Sequence, residues 1–581
     1  MVKVSDVIAE YLVKNNIEIV FGIIGSANSH IFNSIHQNTN IQLVSVHHEQ
    51  AAIMAMGAYY RSTGKLAASL VTAGGGSSNA FTGILSNWAD SIPGIIISGQ
   101  EQSYYISEYS DMRMYGIQGY DSVDTFSKHT KMSVRVTKEN VHDTFSKAFE
   151  ITQTNRPGPV FLEVPFDVQG QHIEEKEIVP YTKQSFVNLK DDASTIVQLL
   201  NSSKKPVIIA GAGIKLSDSD HLFKQFVSNN NIPTILTWSS VDLLSEDDPN
   251  NFGRSGVQGQ RSSNFIVQNS DLLIVMGSRL SLLQTGYSRK DFAPNAKIVH
   301  IDIDETETRK FDQISINKNI ADVLYSLNCI QDQIKLDISE WLLYCNRINN
   351  THKRIMPEHL NDPTNSYTFI DTFSKKLPDN YTIVTDMGTA LLSGFYGFNI
   401  KPNQKMFTSL GLGEMGYGLA AAVGAGFGDR PVICLNCDGG MMMNIQELQT
   451  IKTHNLPVKI VIFNNDGYLM IKHTQNMLFN GDRTCVDKKT GVELPNYEKV
   501  ANAFGFEYFT DIDSFLDYDG HAFLEVFMDP NQEFIPKVRG IKNNDNSILP
   551  GLLEEMSPLL PFNEIQDSMY IVHERSKTML R

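Results

Sequence analysis

The chain has 581 residues, and its 49 Lys+Arg against 65 Asp+Glu give a formal charge of −16, which repels phosphate backbones and anionic lipid surfaces. Nucleic acid and membrane are therefore poor partners, and at roughly 100–200 residues per domain the length calls for three or four domains or two large ones. A hydrophobic content of 41%, 20% charged residues and no low-complexity tract exclude a disordered chain and suit a globular α/β protein.

In chain order, Val4, Val7, Ile8, Tyr11 and Leu12 have helical spacing without a signal-peptide apolar block, so the mature chain is expected to start here and to be cytoplasmic. Strand-like runs follow at 17–23, 41–46, 66–72 and 93–99, with a helical run at 49–62 and a closing strand at 158–165. These define a first domain, 1–168, and a charged linker, 169–190. Runs at 204–214, 232–238, 270–278 and 296–304 build a middle domain, 191–345, followed by a second linker, 346–366. Runs at 381–388, 431–440, 457–468 and 521–528 build a third domain, 367–550, with a tail at 551–581. The expected class is α/β, with three domains of similar design, each a parallel sheet flanked by helices. The Gly/Ala-rich stretch at 419–428 is far shorter than the roughly 20 residues of a membrane helix. Five sparse cysteines point to a reducing compartment, and the C-x-x-C of Cys434 and Cys437 lacks a second ligand pair, so both read as buried structural residues.

The strongest chemical signal is Asp438, followed 27 residues later by Asn465. Each stands where an apolar strand runs out and a helical segment separates them, so one βαβ unit brings both strand tips to the same crevice. A carboxylate, an amide oxygen and the Gly467 carbonyl form an oxygen-only half-shell suited to Mg2+, with phosphate and water to complete its octahedron. Gly439, Gly440 and the helix beginning near Met442 add backbone N–H groups for a diphosphate. The other reading has Asp438 and Asn465 capping the elements that follow.

Asp438-Gly439, the gap and Asn464-Asn465 resemble the metal-diphosphate motif of thiamine-diphosphate (ThDP) enzymes. The segment SVHHEQAAIMAMGAYYRSTGK (45–65) resembles the catalytic part of their pyrimidine-binding domain, and LVTAGGGSSNAFTGILSNWADSIPGIIISGQ (70–100) follows at the family's spacing. Over nearly the whole chain the motifs are most similar to the acetolactate synthase (acetohydroxyacid synthase) large-subunit branch. The resemblance implies ThDP and Mg2+ as cofactors, with Glu49 as the acid that tunes the proton on the aminopyrimidine ring. By itself Glu49 reads first as an ordinary helix-start acid stabilised by the dipole. It further implies that Gly25 and Thr72 touch the cofactor, that Gln118 faces the reacting centre, and that Gly388, Thr389 and Ala390 grip the diphosphate. Gly413 and Met415, the latter wedged beneath the cofactor, and Tyr468, Leu469 and Met470 complete the implied set. The implied assembly is a homodimer or homotetramer in which Glu49 of one chain meets the Asp438/Asn465 site of its neighbour.

Departures from the family pattern bear on substrate. Cys437 stands where a glycine is usual, Thr474 where a tryptophan shapes the acceptor pocket, and Leu282 and Leu283 where an acid and an arginine are usual, while Arg279 is kept. Without that arginine a second 2-oxoacid loses a charge-assisted partner. The implied activity is decarboxylation of pyruvate or a related 2-oxoacid and transfer of its acyl unit to another carbonyl acceptor, such as a keto sugar or other ketone or aldehyde, as in variants associated with polysaccharide and branched-sugar gene sets. The family holds FAD in the middle domain, where Gly211, Gly213, Gly277, Arg279 and Asp302 are the matching strand-tip residues. A lone GxG is also ordinary turn punctuation, which leaves FAD open. His30, His47, His48 and His473 read either as proton relays or as structural residues. The rival readings are a 2-oxoacid decarboxylase or C–C hydrolase, and an idle ThDP-fold protein that only binds a partner.

Overall fold

The computed structural model describes residues 1–108, 111–183, 185–311, 313–362, 364–542, 548–549 and 551–572; the end of the expected tail, 573–581, and 543–547 and 550 of the expected third domain lie outside them. Three all-parallel sheets flanked by helices bear out the expected class. The first holds β1 (Ile19–Gly22), β2 (Gln42–Ser45), β3 (Ala68–Val71), β4 (Gly94–Gln100), β5 (Ser133–Arg135) and β6 (Pro159–Pro165), in the order β2-β1-β3-β4-β6-β5. The middle sheet, β7 (Pro206–Ala210), β8 (Thr234–Leu236), β9 (Leu272–Met276), β10 (Lys297–Ile301) and β11 (Ile314–Ile316), has the order β8-β7-β9-β10-β11. The third holds β12 (Thr382–Thr385), β13 (Lys405–Phe407), β14 (Val432–Cys437), β15 (Val458–Asn464), β16 (Glu507–Phe509) and β17 (Ala522–Phe527), in the order β13-β12-β14-β15-β17-β16. Counted from their own first strands, the first and third sheets have the same order, as the repeated design in the sequence suggests.

Central strands such as β4 read as continuous apolar runs because helices cover both faces; Ile95, Ile96 and Ile97 are all buried. By contacts the chain forms two compact units. One comprises Met1–Lys183, Asn380–Leu391 and Lys405–Pro530, and so contains the first and third sheets; the other comprises Gln184–Asp379, Leu392–Gln404 and Asn531–Arg581, around the middle sheet. No helix among the described residues is long and apolar enough to cross a membrane.

Within the first unit three helices position the site: α1 (Glu49–Thr63), α2 (Thr389–Gly397), which starts in this unit, and α3 (Tyr417–Gly426). The Gly/Ala-rich stretch forms most of α3, which is wholly buried and packs on α1. Ala51, Ala52, Ala55 and Ala58 face a partner equally rich in small residues, Ala420 to Ala422 and Ala425, all at most 1% exposed. A side chain at Gly424 would overlap the Ala55 carbonyl oxygen, and one at Gly428 would reach within 2.6 Å of Ser62 Oγ. Since these contacts advance along both helices together, α1 and α3 run in the same sense. Polar ties brace the pair: Gln50 Nε2 donates to Asn444 Oδ1 at 2.9 Å, and the Asp90 carboxylate accepts Leu410 N–H at 3.1 Å, Gly411 N–H at 2.7 Å and the Arg61 guanidinium.

Because no atom near Gly424 is the end of a flexible side chain, Gly424→Val is expected to lower unfolding stability by about 1–3 kcal/mol or more through overpacking. Urea denaturation checks this, with the midpoint falling at an unchanged slope.

Candidate active site

Two clusters form at the carboxyl ends of parallel strands, where α/β sheets place their ligand crevices. The first builds on β1 and β3. Thr72, just after β3, lies against Gly25, whose Cβ would come within 2.5 Å of Thr72 Oγ1, and against Gly76, whose Cβ would meet Thr72 Cγ2 at 2.7 Å. That same Gly76 position is 3.3 Å from Glu49 Oε1, so its missing side chain leaves room beside the carboxyl. Glu49 is the buried first residue of α1, and its Oε2 accepts from Asn79 Nδ2 at 3.0 Å. Gln118 arches over the same loop, donating from Nε2 to the Ala73 carbonyl at 2.9 Å, while its backbone N–H is held by Glu101. Gly74, with φ +66, takes a left-handed turn beneath it that a side chain would block. Gly25, Glu49, Thr72 and Gln118, named far apart in sequence, thus share one strand-tip cluster. Thr72 Oγ1 is buried there without a partner.

The second cluster sits on β12, β14 and β15, neighbours in the third sheet. Asp438 is 1% exposed; its Oδ1 accepts Gly439 N–H at 2.7 Å, and its Oδ2 accepts the N–H groups of Asn465 at 2.9 Å and Gly467 at 3.1 Å. Burial pushes its carboxyl up to about 6 despite these bonds. Asn465 donates from Nδ2 to Thr389 Oγ1 at 2.9 Å, and its Oδ1 is buried without a partner. Gly388 turns the chain at φ +81 into Thr389 and Ala390, the first residues of α2. A side chain at Gly439 would overlap the Tyr468 ring and would come within 3.6 Å of Met415 Cε, and one at Gly413 would stand 3.6 Å from Met387 Sδ. Gly440 packs on the Asp386 carboxylate. Leu469 and Met470 open helix α4 (Leu469–Phe479) beside this tip, and the Gly467 carbonyl accepts Leu469 N–H at 3.1 Å. A buried carboxylate next to an orphaned amide oxygen is a donor set that a hard, oxygen-seeking cation completes. Among the described residues no hydrogen bond joins this cluster to the Glu49 cluster.

The chain matches "Thiamine pyrophosphate enzyme, N-terminal TPP binding domain" over residues 2–125, the central domain of the same enzymes over 193–327, and their C-terminal TPP binding domain over 386–526. It is 30% identical over 564 residues to the acetolactate synthase isozyme 1 large subunit of Escherichia coli (strain K12), covering 92% of this chain and 95% of that protein. It is 31% identical over 531 residues to the probable acetolactate synthase large subunit of Methanococcus aeolicus, covering 86% of each. The chain belongs to the acetolactate synthase large-subunit family of ThDP-dependent enzymes. Family membership makes it an enzyme rather than an idle binding protein.

Several residues around the third-sheet tip escaped the sequence reading. Asp386, at the tip of β12, accepts Met387 N–H at 2.8 Å and Gly416 N–H at 3.0 Å, fixing the turn into α3. Tyr497 donates its hydroxyl to the Asp438 carbonyl, and Asn444 donates from Nδ2 to the Gly416 carbonyl at 2.8 Å. For Asp386 a signal existed, an acid at the end of an apolar strand just before Gly388; Tyr497, 59 residues from Asp438, had none.

Elsewhere, His48 caps α1 by accepting Gln50 N–H at 3.2 Å and His30 packs on the Phe166 ring, so both have structural roles; His473 lies on α4. Cys434 and Cys437 are buried, and burial pushes both thiols up. In the second unit, a side chain at Gly211 would overlap the Gly277 carbonyl, one at Gly213 would stand 2.7 Å from Gly277 Cα, and one at Gly277 would stand 2.6 Å from Gly213 Cα. Close packing of two strand tips accounts for these glycines without a flavin. Arg279 is exposed, and Asp302 Oδ1 accepts Asp304 N–H at 2.9 Å.

Burial pushes the Asp386 carboxyl up to about 7, although Met387, Gly416 and Gly418 N–H groups pull it down. Its folded value lies above the ordinary aspartate value, so its contribution to stability is complete below about pH 4 and is lost as pH rises through about 7. In cofactor-free protein, Asp386→Asn is expected to flatten the fall of unfolding free energy across this window by about 1.4 kcal/mol per pH unit, read by urea denaturation at successive pH values.

Proposed function

We propose that this enzyme is a Mg2+-dependent carboligase that releases CO2 from pyruvate and joins the remaining acyl unit to a carbonyl acceptor. The observation that carries the reading is the pair of strand-tip clusters on sheets of the same topology, one offering the orphaned Asn465 Oδ1 beside buried Asp438, the other the buried carboxyl of Glu49. Asp438, Asn465 and the Gly467 carbonyl would hold Mg2+, while Gly388, Thr389 and Ala390 with Gly439 and Gly440 would face the diphosphate. When bound, ThDP supplies a carbanion-forming carbon and an electron sink for decarboxylation. Glu49 holds or moves a proton at Oε1, the oxygen facing the space left by Gly76, and Asn79 fixes its orientation through Oε2. Gln118 is placed to orient a substrate oxygen, and the unpartnered Thr72 hydroxyl to hydrogen-bond whatever fills the first crevice.

Two copies would complete the site, Glu49 of one meeting the Asp438 tip of the other. Exposed apolar residues beside both tips support this: Ile24 next to Gly25, and Leu412, Met415, Met442, Met443 and Ile471 at the third sheet. For the acceptor we favour a neutral ketone or aldehyde such as a keto sugar over a second 2-oxoacid. Supporting this, the exposed Leu282 and Leu283 offer no cation for a carboxylate, and Thr474 is a small exposed residue on α4.

Glu49→Gln is expected to retain ThDP binding while CO2 release from pyruvate falls at least about 100-fold; an unaltered rate defeats the assignment. Product analysis with pyruvate and an added keto sugar or aldehyde is expected to yield a longer carbon skeleton. Acetaldehyde alone would make the enzyme a simple decarboxylase, in which a proton rather than a carbonyl acceptor ends the cycle.

A further inference from the structure

The turn leading into α2 and the tip of β14 meet at Cys437. Its Sγ accepts Ala390 N–H at 3.2 Å and donates to the Met387 carbonyl at 3.1 Å, and a Cβ at Gly388 would stand 3.3 Å from the same sulfur. The side chain is buried, so water does not compete for these bonds. Ala390 is the second residue of a nine-residue helix, and the first N–H groups of a helix have no partner inside it. Such donors are what an anion at this tip would engage. A second feature marks the same tip as a place that a ligand completes: Asn465, 3% exposed, holds Thr389 through Nδ2 and leaves Oδ1 without a partner.

We propose that the Cys437 thiol is an internal stand-in for a phosphate oxygen: by occupying Ala390 N–H it withholds one donor from the diphosphate of the cofactor and weakens cofactor binding. This rests on the ThDP reading above and adds a determinant of cofactor affinity carried by this chain's own side chain. Sulfur is a weak acceptor and a phosphate oxygen a strong, charge-assisted one, so the exchange of partners favours the diphosphate only if the thiol moves aside. Where it stays, one backbone donor is forfeited. Either way a chain lacking the sulfur should bind the cofactor more tightly, by about tenfold for a single charge-assisted hydrogen bond.

The test is calorimetric titration of ThDP, at saturating Mg2+, into the full-length wild type and the variants C437A, C437G and C437S, with circular dichroism confirming their fold. C437A and C437G are expected to bind about tenfold more tightly, whereas C437S, whose hydroxyl can keep both bonds, stays within about twofold of wild type. Should C437G prove unstable, C437A still decides the matter, because it removes only the sulfur. Equal or weaker binding by C437A overturns the inference and makes the thiol a latch that orders the turn. Failure of the wild type itself to bind ThDP overturns the cofactor reading beneath it, a result recognisable before any variant is made.

Discussion

The close approach of α1 and α3 is the constraint on which the site depends. Alanines and glycines line both helices, and Gly424 lets one backbone touch the carbonyl of Ala55 on the other. Glu49 is the first residue of α1, and Met415 stands two residues before α3. Running in the same sense, the helices carry these two residues at corresponding ends. Small residues contribute little apolar area each, so the pair is braced by polar ties at the ends, where Asn444 bridges Gln50 and the Gly416 carbonyl. Wider side chains would force the helices apart and disturb the tips at which both clusters form.

Sheet topology explains why the clusters match. In both the first and the third sheet the second strand lies outside the first, so the chain reverses direction across the sheet between the first and third strands. Such a reversal opens a crevice at the carboxyl end. One sheet fills it with Gly25, Thr72 and Glu49, the other with Gly388 and Asp438. The two clusters therefore arise from one architecture used twice, with different residues at equivalent tips.

Much of this was legible in the sequence where the determinant is local. Apolar runs located the strands because both faces are buried, and the 27-residue spacing of Asp438 and Asn465 located two adjacent tips because a βαβ unit has few ways to fold. Glu49, Thr72 and Gln118 were named through resemblance, since no local pattern says that residues 49, 72 and 118 share a crevice. What stayed hidden depends on contacts across long separations. Tyr497 reaches the Asp438 carbonyl, and Cys437 reaches back 47 residues to Ala390. In the middle sheet the reverse holds: Gly211, Gly213 and Gly277 have the look of a ligand loop in sequence, yet packing of backbone on backbone is sufficient reason for each.

The electrostatics of the third-sheet tip tie these strands together. Asp386 and Asp438 are both buried, both pushed upward by burial, and both supplied with backbone N–H groups that fall short of offsetting the loss of water. Lys472, whose Nζ is 2.8 Å from the Asp466 carbonyl, lowers the Asp438 value only as the last of its influences. Protein groups alone thus leave the tip short of positive charge, and Asn465 Oδ1 short of a donor, in the same crevice. A divalent cation, as proposed above, would answer both deficits at once. It would stabilise the ionised carboxylate, complete the amide oxygen, and balance a diphosphate that the N–H groups of Thr389 and Ala390 could not hold by themselves. On the proposed reading, metal and diphosphate would then be mutually dependent, since each without the other would leave a buried charge poorly matched.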